Sequence, residues 1–83
     1  MNLVVLTAEG ELYNGVVKSV KVPGTDGQFE VLNNHAPMVA SLGKGDVRII
    51  DKDGKKQHIS IEKGFLEVLR NEVALLVQGV AKA

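Results

Sequence analysis

Nine glycines divide this chain of 83 residues into short segments that are rich in valine and isoleucine. They stand at Gly10, Gly15, Gly24, Gly27, Gly43, Gly45, Gly54, Gly64 and Gly79. Short β-branched segments bounded by turn residues at this density are typical of an all-β sandwich or barrel. The length allows one domain, residues 1–83, with a core so small that a permanent partner is expected.

Two β-hairpins are predicted from the alternation of apolar and polar residues. The segments Asp46–Asp51 and Gln57–Glu62 both alternate, and they flank an Asp-Gly turn, which is the strongest short hairpin signal. A second hairpin is predicted to turn at Arg70-Asn71 and to join Phe65–Leu69 to Val73–Val77.

Residues 16–32 are predicted to form a strand, a turn and a second strand. In Val16–Val22, Lys18 interrupts an otherwise apolar face. The sequence Gly24–Gly27 has the glycines of a phosphate-binding loop, but such loops precede a helix and usually include a lysine. Because Gln28–Leu32 is predicted to be a strand, Gly24–Gly27 is interpreted as a tight turn.

Two segments, Leu3–Leu6 and Val73–Val77, are apolar without alternation. Continuous apolar strands are usually covered on both faces, whereas a two-sheet sandwich covers only one face of each strand. Two interpretations stay open at this point. The second face packs against a partner protein, or it displays the few aliphatic residues that are exposed on any protein surface.

The composition excludes several classes of function. The chain has 10 basic and 10 acidic residues and a net charge of zero, which argues against a nucleic-acid groove and a polybasic membrane anchor. It has no cysteine for a disulfide. The longest apolar run, Val73–Val77, is too short to span a bilayer, and the first residues lack the features of a signal peptide. We expect a chain in the cytosol, or bound to something there, without direct membrane insertion.

No constellation of catalytic or metal-binding residues is visible in the sequence. His35 and His58 are far apart and lack a second ligand at a motif spacing. Glu9 and Glu11 are more simply explained as an acidic turn around Gly10 than as an acid–base pair, which needs a cleft. The sequence therefore predicts a protein that is not an enzyme and holds no cofactor or metal.

Lys52, at the tip of the first predicted hairpin, leaves an alternative function open. Lipoyl and biotinyl carrier domains are small β-sandwiches that present one modified lysine on a hairpin tip. Here Lys52 stands between Asp51 and Asp53 and lacks the small and methionine neighbours that those carriers use for enzyme recognition. A generic protein-binding sandwich is the remaining alternative.

Three stretches along almost the whole chain match the pattern of one known family. Leu3–Gly15 has an apolar strand, then Thr-Ala-Glu, and later an aromatic residue before a polar residue and glycine. Val22–Pro37 contains Gly-Thr-Asp-Gly and ends in His-Ala-Pro. Val-Arg-Ile at 47–49 and Gly-Phe-Leu-Glu-Val at 64–68 follow in the right order. In these motifs the chain resembles the ε subunits of F-type ATP synthase, which are called δ in mitochondria.

The resemblance implies a β-sandwich of about ten short strands in the central rotor stalk of the synthase. A subunit of that family performs no chemistry. It links the γ subunit to the membrane c-ring, and so supports the coupling of proton transport to ATP synthesis in the α/β head, which it serves indirectly. The resemblance also implies a peripheral location, within the complex, on the cytoplasmic face of the bacterial plasma membrane.

The contact positions of the family carry over residue by residue. Those near γ correspond to Thr7, Ala8, His35, Ala36, Met38, Val39 and Ala40. Those of the loop that meets the c-ring correspond to Gly24, Thr25, Asp26, Gly27, Gln28, Phe29 and Glu30. We expect Asp26 and Glu30 to pair with basic residues of the ring, and Met38 to supply an adaptable apolar contact. His35 has a second interpretation, in which it closes a turn before Pro37.

The sequence also departs from the family pattern. Pro23 stands where Thr is frequent, Gln28 where Glu is usual, and Glu30 where Gly is usual. The family usually continues past Val77 with a two-helix hairpin, which can inhibit ATP hydrolysis and in some members binds ATP. No helix-forming segment follows here, so we expect a sandwich without that hairpin and with frayed residues at 81–83. A naturally short form and a shortened piece stay open.

Overall fold

The computed structural model describes residues 1–82, and within this range it contains nine β-strands and no helix. The strands are β1 (Asn2–Thr7), β2 (Gly10–Gly24), β3 (Gly27–Leu32), β4 (Met38–Leu42), β5 (Gly45–Asp51), β6 (Lys56–Ile61), β7 (Lys63–Leu69), β8 (Glu72–Gln78) and β9 (Ala81–Lys82). The all-β prediction is confirmed. The strands number nine rather than about ten, and one of them, β2, runs unbroken for 15 residues. Nothing in residues 1–82 offers the long apolar helix that a membrane crossing requires.

Strand β2 takes part in both layers of the sandwich. Its first half pairs with β1, and its second half lies between β3 and β5. We call the layer formed by β4, β7, β8, β1 and the first half of β2 the first sheet. The second sheet consists of β3, the second half of β2, β5, β6 and β9. One continuous strand therefore connects the two layers.

A β-bulge allows β2 to pass from one layer to the other. The register of β2 against β5 gains one residue between Val17 and Ser19. Val17 is buried before the bulge and Val20 after it, so the inward-facing positions change from odd to even numbers. The prediction that Lys18 interrupts an apolar face is wrong, because Lys18 is the exposed residue at the bulge, where alternation is broken.

The core is built from inward-facing aliphatic side chains of both sheets. Its buried members are Leu3, Val5, Val17, Val20, Val22, Val31, Leu42, Val47, Ile49, Ile59, Ile61, Leu66, Val68, Val73, Leu75 and Val77. Burial of one such side chain contributes about 1.5–3 kcal/mol. The aromatic rings of Tyr13 and Phe29 are only half-buried and pack at the margin of this cluster.

Both predicted hairpins are present. Strands β5 and β6 pair across a loop that Asp51 organises, because its Oδ1 accepts hydrogen bonds from the amides of Asp53 (2.8 Å) and Lys55 (2.9 Å). Strands β7 and β8 turn at Arg70 and Asn71, whose φ angles are 52° and 61°. Two successive left-handed residues are what a type I′ turn needs to match the twist of its strands.

The remaining chain segments complete the second sheet. Strands β2 and β3 join at the predicted tight turn, with Gly24 paired to Gly27. Near the end of the chain, Ala81 pairs with Ser60 on β6. The expectation of a frayed end is therefore wrong for residues 81 and 82, which extend the sheet as β9, while Ala83 lies outside the described residues.

Tyr13 provides a spectroscopic test of this packing. It is the single tyrosine of a chain without tryptophan. Burial, with a smaller contribution from the Asp51 carboxylate, raises the pKa of its phenol above the ordinary 10.0. We expect the tyrosinate absorbance of the folded chain to rise at higher pH than that of the chain unfolded in urea.

The same shift in pKa has a consequence for stability. Because the pKa is higher in the folded chain, Tyr13 contributes stability that is fully present below its unfolded pKa. This contribution is lost as the pH rises through its folded pKa. Asp51→Asn is the matched variant and should reduce the shift only slightly, since burial is its larger cause. Identical titration midpoints for folded and urea-unfolded chains would contradict this packing of Tyr13.

Candidate functional site

The outward side of the first sheet is largely apolar. Buried and outward side chains alternate along β7 and β8. On β7, Leu66 is buried and Phe65 points outward; on β8, Leu75 is buried and Leu76 points outward. We call this side the apolar face. Its outward apolar residues on β1, β4, β7 and β8 are Val4, Leu6, Val39, Phe65, Leu69, Ala74 and Leu76.

Cross-strand pairing brings these outward side chains into one continuous patch. Phe65 of β7 pairs with Leu76 of β8, which pairs in turn with Leu6 of β1. Side chains that lie directly opposite on one face of a sheet are in contact range. A shallow groove of about 470 Å³ runs beside this row and is lined by its three members and by Thr7, Ala8 and the ends of β7 and β8.

The exposed hydrophobic residues are concentrated on this sheet. Of the seven large apolar side chains that are exposed in residues 1–82, only Leu32 belongs to the second sheet. Val39 is 62% exposed and Leu76 is 54% exposed. Single exposed aliphatic residues need no explanation, but a contiguous patch marks an interaction surface. The apolar face is therefore the candidate binding site of this chain.

The outward side of the second sheet is different in character. It presents a row of charged side chains, in which Lys21 pairs with Glu30 and Arg48 across the strands, and Arg48 pairs with His58. Arg48 Nη2 donates to Glu30 Oε2 at 2.6 Å, and His58 Nδ1 lies 2.5 Å from Asp46 Oδ2. We call this side the charged face. Arg48 and His58 thus have acidic neighbours on this face, while Lys21 lies across from both Glu30 and Arg48.

The residues that the resemblance assigns to the γ contact do not all point the same way. Thr7 ends β1 and Ala8 follows it in the turn, and both line the groove of the apolar face. On β4, Val39 points outward, whereas Met38 and Ala40 are half-buried and pack against the core. A charge at Met38 would therefore disturb the fold itself, so the outward Val39 is the better position for probing a contact.

His35 and Ala36 lie in the connection between β3 and β4, at the other end of the sheet. The His35 amide donates to Leu32 O at 3.1 Å, and Asn34 has a φ of 64°. The Asn34 amide donates to the Asn71 side chain at 2.7 Å, which ties this turn to the β7–β8 turn. The turn-closing interpretation of His35 is thus supported by its backbone hydrogen bond.

The residues that correspond to ring contacts form the tip of the β2–β3 hairpin and the strand after it. Thr25 and Asp26 are exposed at the tip. The tip is held against β4, because the Thr25 amide donates to Ser41 O at 3.1 Å and the Gly43 amide donates to Pro23 O at 2.8 Å. The exposed residues of the tip are therefore displayed on a fixed support.

The strand after the tip is partly engaged within the chain. The Phe29 ring lies over Gly24, where an added Cβ would stand 2.8 Å from the ring and 2.7 Å from the Gly27 carbonyl oxygen. Only glycine fits at that position. Glu30 is paired with Arg48 on the charged face. Asp26, by contrast, has no ion-pair partner among residues 1–82.

The two sets of implied contact residues meet in space. A groove of about 530 Å³ is lined by the hairpin tip, by Gln28 and Phe29, and by Val39, Ala40 and Ser41 of β4. This proximity was not predictable from the sequence, because the two sets come from separate stretches of the chain. The apolar runs without alternation, which include Leu6 and Leu76, did indicate that some apolar side chains of these strands face outward. They did not indicate that Phe65 joins Leu6 and Leu76 on one face.

Two features that chemistry would need, a metal site and a modifiable lysine, can be checked in the structure. Within residues 1–82 no group of three or more His, Cys, Asp or Glu residues is arranged to hold a metal ion. Lys52 is exposed in the β5–β6 loop, as the carrier alternative needs, but the loop around it is organised by the Asp51 carboxylate.

Comparison with known proteins gives a consistent result. The family model for the ATP synthase delta/epsilon chain β-sandwich domain matches residues 1–83. The ATP synthase epsilon chain of Protochlamydia amoebophila is 42% identical over 78 residues, covering 94% of this chain and 53% of that protein. That of Leptospira borgpetersenii is 49% identical over 76 residues, covering 92% of this chain and 59% of that protein. The chain thus spans little more than half the length of these relatives.

Solved structures share the fold at low sequence identity. A chain of the Euglena gracilis mitochondrial ATP synthase has a TM-score of 0.89 and 22% identity, and the match covers 96% of this chain and 51% of that one. A chain of the Tetrahymena thermophila central stalk and c-ring has a TM-score of 0.81 and 13% identity, with 99% and 66% covered. These likenesses establish the two-layer β-sandwich.

Proposed function

This chain belongs to the family of ATP synthase delta/epsilon chain β-sandwich domains, and on that premise we propose that it is a non-catalytic subunit of the central rotor stalk in an F-type ATP synthase. In this role it links the γ subunit to the c-ring and supports the coupling of proton transport to ATP synthesis. Its location is peripheral, on the cytoplasmic face of the bacterial plasma membrane, and it meets the α/β head only through γ.

The observation that carries this proposal is the contrast between the two outward sides of the sandwich. The charged face is polar and has contacts of its own, such as Arg48 with Glu30, whereas the apolar face leaves Phe65, Leu76 and Val39 exposed to water. Each such side chain contributes binding free energy only when a partner covers it. We infer that γ covers the apolar face, with Thr7 and Ala8 at the edge of the contact.

The other residues that correspond to γ contacts lie around this face. Val39 is part of it, while Met38 and Ala40 support the contact from the inward side of β4. His35 and Ala36 lie near the end of the sheet that carries the β7–β8 turn. In this proposal they form the boundary of the interface with γ.

The β2–β3 hairpin tip is the proposed contact with the c-ring. Thr25 and Asp26 are exposed there, with Gly24 and Gly27 shaping the turn and Gln28 beside it. Asp26 is free to pair with a basic residue of a ring loop, although one exposed pair contributes only about 0–1 kcal/mol. Phe29 and Glu30 have partners within the chain, so their contribution to ring binding is structural.

Binding to purified γ from the same genome tests the proposed function. We expect the two chains to co-elute in size-exclusion chromatography at micromolar concentration, and the complex to be retained by detergent-solubilised c-ring. Independent elution of the two chains would contradict the γ link. Asp26 and Thr25 are then both replaced by alanine. If the c-ring retains this variant complex equally well, the ring contact does not lie at the hairpin tip.

A further inference from the structure

The apolar face has one carboxylate among its hydrophobic residues. Glu67 points outward from β7, between Phe65 and Leu69 along the strand. Across the strands it pairs with Val39 of β4 on one side and with Ala74 of β8 on the other. All four of these neighbours are apolar. No Lys, Arg or His among residues 1–82 lies within ion-pair distance of Glu67.

We propose that Glu67 determines which partner fits this face, and that the γ subunit presents one Arg or Lys side chain to it within an otherwise apolar contact. This inference rests on the proposed function and names the chemistry of the partner surface. A partner that covered Glu67 without a cation would remove a carboxylate from water and leave it unpaired, which is costly. A cation opposite Glu67 offsets that cost and rejects partners that lack one.

The same charge argues against a second copy of this chain as the occupant. In a two-fold dimer the same patch of both copies is buried. When the two-fold axis passes close to Glu67, the Glu67 carboxylates of the two copies approach each other, together with those of Glu72, which lies on the outward side of β8 near the same turn. Like charges brought together in an interface are strongly unfavourable. A dimer centred on Glu67 is therefore disfavoured, and a different protein that presents a cation there fits this part of the face better.

The distribution of charge along β7 also predicts how the charged groups of the partner are oriented over the apolar face. Lys63 begins the strand and Glu67 follows four residues later, about 13 Å away. Glu72 lies beyond Glu67, opposite Leu69, and Arg70 of the turn lines the same groove as these two residues, so this half of the face has two carboxylates and one cation. The basic side chain of the partner therefore lies over the half of the face that includes the β7–β8 turn, and any acidic group lies over the half that includes Lys63.

The test compares Glu67→Gln with Asp53→Asn in binding to purified γ. Each variant removes one negative charge, but Asp53 lies in the β5–β6 loop of the second sheet. We expect Glu67→Gln to raise Kd by about 10- to 100-fold and to flatten the dependence of Kd on salt. We expect Asp53→Asn to stay within about twofold of the unmodified chain. Both residues are exposed, and thermal unfolding confirms that the variants are folded.

The possible outcomes separate this inference from the proposed function. Unchanged affinity and salt dependence for Glu67→Gln overturns the inference while leaving the link to γ intact. A dimer of this chain that Leu76→Asp dissociates also overturns it. If the unmodified chain does not bind γ, the proposed function fails, and the inference with it. Restored binding of Glu67→Lys to a γ variant in which one Arg or Lys is changed to Glu supports the ion pair directly.

Discussion

Replacing Leu76 with aspartate is expected to abolish binding of this chain to γ. Leu76 lies at the middle of the apolar face, paired with Phe65 on one side and Leu6 on the other. The new carboxylate would be covered by an apolar partner surface without a cation. The cost is about 3 kcal/mol or more, which corresponds to roughly a hundredfold or greater rise in Kd. Titration calorimetry with purified γ measures it.

The chain contains a closely matched control for this variant. Leu32 is also 54% exposed, on β3 of the second sheet. Leu32→Asp makes the same chemical change at the same exposure but away from the apolar face. We expect its Kd to be within about threefold of that of the unmodified chain. Equal weakening by both variants would mean that the apolar face is not the γ contact.

The second large effect is expected in the core. Leu66 is fully buried on β7, immediately behind the apolar face. Leu66→Ala removes three heavy atoms from a packed interior and leaves a cavity, which costs about 2–5 kcal/mol. In a domain of this size, each kcal/mol lowers Tm by about 4–8 °C. We therefore expect urea and thermal unfolding to show a loss of a large part of the total stability.

Leu69→Ala is the control for that measurement. Leu69 lies three residues further along the same strand but points to solvent. Its truncation should change the free energy of unfolding by no more than about 0.5 kcal/mol. If Leu66→Ala were as mild as Leu69→Ala, the assignment of inward and outward sides on β7 would be incorrect.

Local signals in the sequence were sufficient to predict which neighbouring strands pair as hairpins. The loop after Asp51 and the pair Arg70-Asn71 gave both hairpins, because turns of this kind depend on a few residues with defined hydrogen bonds or left-handed φ angles. The bulge near Lys18 was not predictable in this way. It depends on how β2 must bend to join two layers, which is a property of the whole sandwich.

The candidate site was predictable only in part. The runs Leu3–Leu6 and Val73–Val77 indicated that some strands have apolar residues on both sides. Which of those residues share a surface depends on the parallel pairing of β1 with β8, between segments at opposite ends of the chain. Alternation along one strand contains no information about such a neighbour. The isolation of Glu67 among apolar residues likewise follows from pairing rather than from sequence spacing.

The continuity of β2 has a mechanical consequence. A twisting load that enters at the proposed ring contact, the Thr25–Asp26 tip, is transmitted along one covalent backbone. It passes the bulge at Lys18 and reaches the first sheet, which is proposed to bind γ. The ladders on both sides of this strand are then loaded in shear, so that many hydrogen bonds resist together instead of opening one by one. This path for torque therefore does not depend on the packing between the two layers.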